Sequence, residues 1–187
     1  MEPLNWPKEF IYTKAPFSDD LHPMILNHLL STGKEDDLEK IHLLIEKEAV
    51  HPDLEIKTIT DAHHPLASST NPQRGLFAKK EIPEGSDLGT YAGEITLMNA
   101  NFEFKKGDYD YALVLNLSSF YYVVNSRKCA NEMVFINDYR GIAKAPNVKA
   151  AITVHKGVYY PMFCTISPIL PGQELLWDYG NNYWKMR

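Results

Sequence analysis

The stretch best equipped for chemistry spans residues 171–184, PGQELLWDYGNNYW. A Pro-Gly turn leads into the apolar residues Leu175, Leu176 and Trp177, which predict a short buried strand, and Gly180 marks its exit. Tyr179 stands at the end of that strand. A phenol held by apolar walls must find a hydrogen-bond partner, and where the protein offers none a ligand can. Taken alone, the stretch favours a core tyrosine with a satisfied hydroxyl, because most buried aromatic residues only pack. Asn137 ends a second apolar run, NEMVFIN, as either a turn cap or an amide that reads a ligand. His63 and His64, with Asp61 nearby, raise the question of a metal. Adjacent side chains diverge and no third or fourth ligand has a suitable spacing, so solvated loop histidines and no metal site are expected. Ser31, Thr32, Gly33 and Lys34 imitate a phosphate loop but lack a second glycine and the hydroxyl after the lysine. Cys129 and Cys164 are too few for a zinc cluster or a disulfide framework.

These residues need elements to hold them. Residues 1–19 carry three prolines and no periodicity, reading as an extended lead-in. Helices are predicted over 19–30, capped by Asp19 and Asp20, and over 35–49, where Leu38, Ile41, Leu44, Ile45 and Ala49 recur at helical spacing. From Leu54 the texture changes to short β-branched and aromatic runs. Strands are expected over 54–60, 75–78, 88–95, 109–117, 120–125, 150–154 and 158–166, the last two as a hairpin through Lys156 and Gly157. Gly89 and Gly93 interrupt one of these runs, as glycines do at a bulge or a close backbone approach. The result is a mainly β domain over 54–187 behind a lead-in and helical cap over 1–53.

The chain has 187 residues, 44% apolar and 23% charged, with a net charge of −5. That suits one sizeable core, and it argues against a general nucleic-acid binder while favouring a basic partner. No run is long and apolar enough for a membrane span. The N-terminus lacks the pattern of a secretory signal, so an intracellular location is expected.

The order RGLFAKKEIPEG, YAGE, NEMVFIND with a later Pro-Asn, then PGQELLWDYG resembles the SET domain of protein lysine methyltransferases, over roughly residues 54–187. The resemblance implies several short twisted sheets, with a C-terminal segment threaded past a preceding loop. It also implies S-adenosylmethionine as cofactor and the side-chain amine of a protein lysine as substrate, with a histone tail one candidate. The location would then be nuclear for a histone substrate and cytoplasmic otherwise. Position by position it makes Arg74, Gly75, Leu76 and Phe77 the cofactor strand, and Asn137 and Asp138 further cofactor residues. Tyr179 and Tyr91 take catalytic places. Tyr111, Trp177 and Tyr183 line the lysine channel, Trp177 where the family limits methyl number, and Trp184 helps close the pocket. Three positions depart from the family pattern. Gln73 replaces the first glycine of the Gly-x-Gly strand. Asp138 replaces a histidine and brings a carboxyl to the adenine side, and Pro146-Asn147 comes four residues late. Two other classes stay open: a SET-like module that binds a basic peptide without catalysis, and a metal hydrolase built on His51, His63 and His64.

Overall fold

The computed structural model describes residues 6–15, 51–67, 70, 73–107, 109–118, 120–155 and 158–186. The helices expected over 19–30 and 35–49, the Ser31 to Lys34 fragment and the hairpin tip at 156–157 lie outside them. Twelve strands occur among the described residues. Strand β1 (Ile11–Tyr12) is followed by β2 (Leu54–Thr58), β3 (Arg74–Ala78), β4 (Asp87–Thr90) and β5 (Glu94–Asn99). Then come β6 (Ala112–Asn116), β7 (Phe120–Asn125), β8 (Cys129–Ala130) and β9 (Asn137–Asp138). Strands β10 (Val148–His155), β11 (Val158–Thr165) and β12 (Leu176–Trp177) precede one short helix, α1 (Gly180–Lys185).

The strands form five small sheets: β5-β7-β6, β10-β11-β4, and the pairs β2-β3, β1-β8 and β9-β12. Their inward faces meet in one core, where Leu76, Met133, Ile136, Phe163, Ile169 and Leu175 are almost wholly excluded from solvent. The chain is thus mainly β in several small sheets, as expected.

The single strand expected over 88–95 is two strands, because the chain changes sheet there. The Tyr91 N–H donates to the Pro161 carbonyl at 2.8 Å and closes β4. Gly93 then passes so near β7 that a Cβ would stand 2.5 Å from the Asn125 carbonyl oxygen, so only glycine fits. Strand β6 starts later than expected, since Tyr111 occupies the left-handed region at φ 59°. The run after Asn131 is a 3₁₀ turn, Glu132–Phe135, capped by the Asn131 side chain, which accepts from the Met133 N–H. Helix α1 was not foreseen. It opens at Gly180, whose φ of +82° turns the chain out of β12.

The end of the chain is threaded. Strand β12 runs parallel to β9, pairing Leu176 with Asn137 and Trp177 with Asp138. On the other side the buried Asn147 side chain donates to the Glu174 carbonyl at 2.8 Å and accepts the Leu176 N–H at 2.7 Å. Residues 174–177 are therefore bonded both to β9 and to the far end of the loop that follows it, which fixes where Tyr179 emerges.

Candidate active site

Threading delivers Tyr179 to a cleft of about 1450 Å³. Its hydroxyl donates to the Ile136 carbonyl at 2.9 Å, and its backbone N–H donates to Asp138 Oδ2 at 2.8 Å. The ring lies between Trp177, centroid 5.3 Å away, and Tyr183, at 4.8 Å. Burial holds the phenol well above its ordinary pKa, helped by the neighbouring Tyr91, Tyr183 and Asp138 and opposed by a hydrogen bond from Trp177. Tyr179 is a neutral phenol at any ordinary pH.

Tyr91 reaches the same cleft from the end of β4. It is buried, and burial again raises its pKa, with a hydrogen bond to Ser126 pulling down and nearby Tyr111 pushing up. Tyr111 is 45% exposed and rests edge-on against Phe10 at 5.6 Å. Trp177 packs on Phe163 at 5.1 Å, so its indole is braced from the core side.

Arg74, Asn137, Asp138, Tyr91, Tyr111, Trp177, Tyr179 and Tyr183 all line this one cleft. Gly75, Leu76 and Phe77 do not. Leu76 faces the core, and a Cβ at Gly75 would meet Glu174 Oε1, so the part of the chain at the start of β3 that reaches the cleft is Gln73 and Arg74.

Asp138 forms the knot of the site. Oδ1 accepts the Arg140 backbone N–H at 2.8 Å. Oδ2 accepts from Arg140 Nη1 at 2.8 Å, from the Tyr179 N–H, and from the Trp184 indole at 3.3 Å. Arg140 also reaches Asp178 at 2.7 Å and stacks over Tyr139 at 4.9 Å. That contact is the foremost cause of Asp178's lowered pKa. The carboxylate expected at the adenine side is therefore engaged within the protein, sharing Arg140 with Asp178, and it holds the segments together.

Asn137 spends its Nδ2 on the Arg74 carbonyl at 3.0 Å and on Glu174 Oε1 at 2.8 Å. Glu174, 7% exposed, also meets His64 Nε2 at 3.0 Å. The expectation of two solvated histidines therefore holds for His63, whose side chain is 98% exposed, and fails for His64, at 10%. Among the described residues no group of three or more metal-ligating side chains occurs. Sequence reasoning missed Glu174, which lies within a recognised motif, and Arg140, which adjoins one, and it named His64 only as a solvated or metal-ligating residue.

A family model of the SET domain matches residues 73–180, more than half of the chain. The chain belongs to the SET-domain family. No curated protein matches it. Among solved structures it is similar to the Chaetomium thermophilum polycomb repressive complex 2, with a TM-score of 0.51 and 20% identity over 74% of this chain and 16% of that one. It is likewise similar to an active polycomb repressive complex 2 in the stimulated state, with a TM-score of 0.52 and 22% identity over 75% and 16%. At such identities the likeness speaks for the fold, and this SET chain spans only that 16% of its neighbours' length. No helix among the described residues is long and apolar enough to cross a membrane.

Proposed function

We propose that this SET domain transfers a methyl group from S-adenosylmethionine to the side-chain amine of a protein lysine. The observation that carries the reading is the convergence of Tyr91, Tyr111, Trp177, Tyr179 and Tyr183, from three separate segments, on one cleft. Neutral phenols and ring faces suit a cationic ligand, since aromatic faces attract sulfonium and ammonium charge without a competing anion. Asp138, a carboxylate that lines the cleft, is already engaged by Arg140 and two N–H donors, so the donor set fits the cofactor. Arg74, Asn137 and Trp184 are the residues that would hold it, and the group supplies an electrophilic methyl carbon.

The chain's own contribution is positioning and desolvation. An amine entering between Tyr91, Tyr111 and Trp177 loses water, which favours its neutral, nucleophilic form. Tyr179 spends its proton on the Ile136 carbonyl, so its oxygen faces the cleft as an acceptor that can orient an amine N–H. Because its pKa is raised, Tyr179 is not the base, and the proton leaves to solvent. Fixing the reacting groups in line can account for several kcal/mol of the barrier, roughly 7 or more in well-oriented systems.

A histone tail is the first substrate to try, given the basic partner that the net charge favours, with location in the nucleus following if it holds. The test is transfer of labelled methyl from S-adenosylmethionine to a panel of histones and a cell extract. Tyr179→Phe is expected to lower transfer by about 100-fold, the scale of a misplaced reacting group. Full activity in that variant would remove Tyr179 from its proposed role, and absence of any transfer would favour a peptide-binding module.

A further inference from the structure

His64 lies outside the family match and does not itself line the cleft, yet it is bonded through Glu174 to Asn137, which does. Its Nδ1 accepts the Leu66 N–H at 3.1 Å, which leaves the ring proton on Nε2. That N–H donates to Glu174 Oε2 at 3.0 Å, while Glu174 Oε1 takes the Asn137 amide at 2.8 Å. One buried carboxylate therefore ties the loop over 61–67 to β9, and through the second Asn137 bond to the Arg74 carbonyl of β3.

What the loop delivers is apolar and open. Pro65 and Leu66 follow His64 directly, and both line the cleft. Pro65 closes over the backbone of Gly141, beside Arg140, whose guanidinium lies 6.0 Å from the Trp184 ring. Leu66 is 37% exposed and Trp184 43%. A plain loop anchor would bury the side chains it holds down. Here a buried carboxylate–imidazole hydrogen bond, with desolvated polar groups on both sides, holds apolar side chains in the open mouth of a cleft.

We propose that His64 is a positioning residue for the cofactor. Its bond to Glu174 sets Pro65 and Leu66 as an apolar wall that, with Trp184, takes the flat nucleoside end of S-adenosylmethionine. The inference rests on the methyltransferase reading and adds to it a part of the site that precedes the family match.

The bond and the local turn can be separated. In His64→Asn the side-chain oxygen can still accept the Leu66 N–H as a tight turn, but the side chain is too short to reach Glu174. In His64→Gln the terminal amide keeps the reach to Glu174 and gives up the turn. Titration calorimetry with S-adenosylmethionine, and with adenosine as a probe of the nucleoside end alone, is the measurement. His64→Asn is expected to weaken both ligands by about ten-fold, the scale of one or two lost hydrogen bonds, with His64→Gln within about three-fold of the wild type. The KM for the protein substrate should not move. Leu66→Ala, which leaves the anchor intact, should weaken both ligands at least about three-fold through lost apolar contact, and it serves if His64→Asn does not fold. Wild-type affinity in His64→Asn, or in Leu66→Ala, overturns the proposal. A wild-type protein that binds no S-adenosylmethionine overturns the methyltransferase reading itself, and this inference with it.

Discussion

At Tyr179 the hydroxyl proton is committed to the Ile136 carbonyl, so the residue that looked like packed core is satisfied and yet lines the cleft. A hydroxyl that donates once still has lone pairs to offer, and burial keeps the phenol neutral. On the methyltransferase reading proposed above, Trp177 beside it would set the room for the amine. The indole is held by Phe163 on one side and Tyr179 on the other, so it cannot swing away when methyl groups accumulate. Trp177→Phe, which removes the pyrrole half of the ring and its N–H, should raise the dimethyl and trimethyl share, read by mass spectrometry of a lysine peptide. The cost in stability should be about 1–2 kcal/mol, the smaller end of large-to-small core changes. An unchanged product distribution would take Trp177 out of methyl-number control.

Two elements, β9 and the Glu132–Phe135 turn, owe their positions to buried carboxylates, and they respond to different perturbations. Asp138→Ala removes the acceptor of the Tyr179, Arg140 and Trp184 bonds at once, and a cost of about 3 kcal/mol in urea unfolding is expected. Glu132 is 3% exposed, accepting from the Tyr12 hydroxyl at 3.2 Å and the His51 N–H at 3.3 Å. Desolvation raises its pKa above 4.5 against those opposing hydrogen bonds. The folded state then binds the proton more tightly than the unfolded chain. Its contribution is fully present below pH 4.5 and is lost as pH rises through the folded pKa. Glu132→Gln should therefore gain in Tm over the wild type as pH goes from 4.5 to neutral, and a constant difference would mean that Glu132 ionises normally. These carboxylates also mark what was legible in the sequence. Strand alternation, turn residues and the ordered motifs were local, so the sheets, the threading and eight residues of the cleft could be read. Partners brought together by folding were not, as with Arg140 on Asp178 or His64 on Glu174. Helix α1 was missed because its six residues carry no apolar period, and Leu76 and Phe77 were assigned to the cofactor from their place in a motif, although the strand turns Leu76 to the core.

For the molecule as a whole, the telling region is the described lead-in, residues 6–15, far from the family match at 73–180 in sequence and against it in space. Strand β1 adds in parallel to β8, Phe10 is 9% exposed, and Trp6 and Phe10 stack edge-on against Phe135 at 5.8 and 5.9 Å. Glu9 pairs with Arg74 at 2.6 Å, and Phe10 supports Tyr111, so this segment walls the cleft that the methyltransferase reading uses. Burying Phe10 contributes about 2 kcal/mol, and Trp6 adds to it, against a total stability of about 5–15 kcal/mol for a domain. A fragment of residues 54–187 also strips Glu132 of its Tyr12 and His51 donors and leaves a buried carboxyl without them, a further cost of about 1–3 kcal/mol. That fragment is expected to be marginally stable by urea unfolding even though it contains every motif. Phe10→Ala in the full chain separates stability from function. It should cost about 3 kcal/mol and raise the KM for the protein substrate through the loosened Tyr111, while affinity for S-adenosylmethionine stays. A fragment as stable as the full chain, with an unchanged substrate KM in Phe10→Ala, would mean that the lead-in only rests on the domain and plays no part in the site.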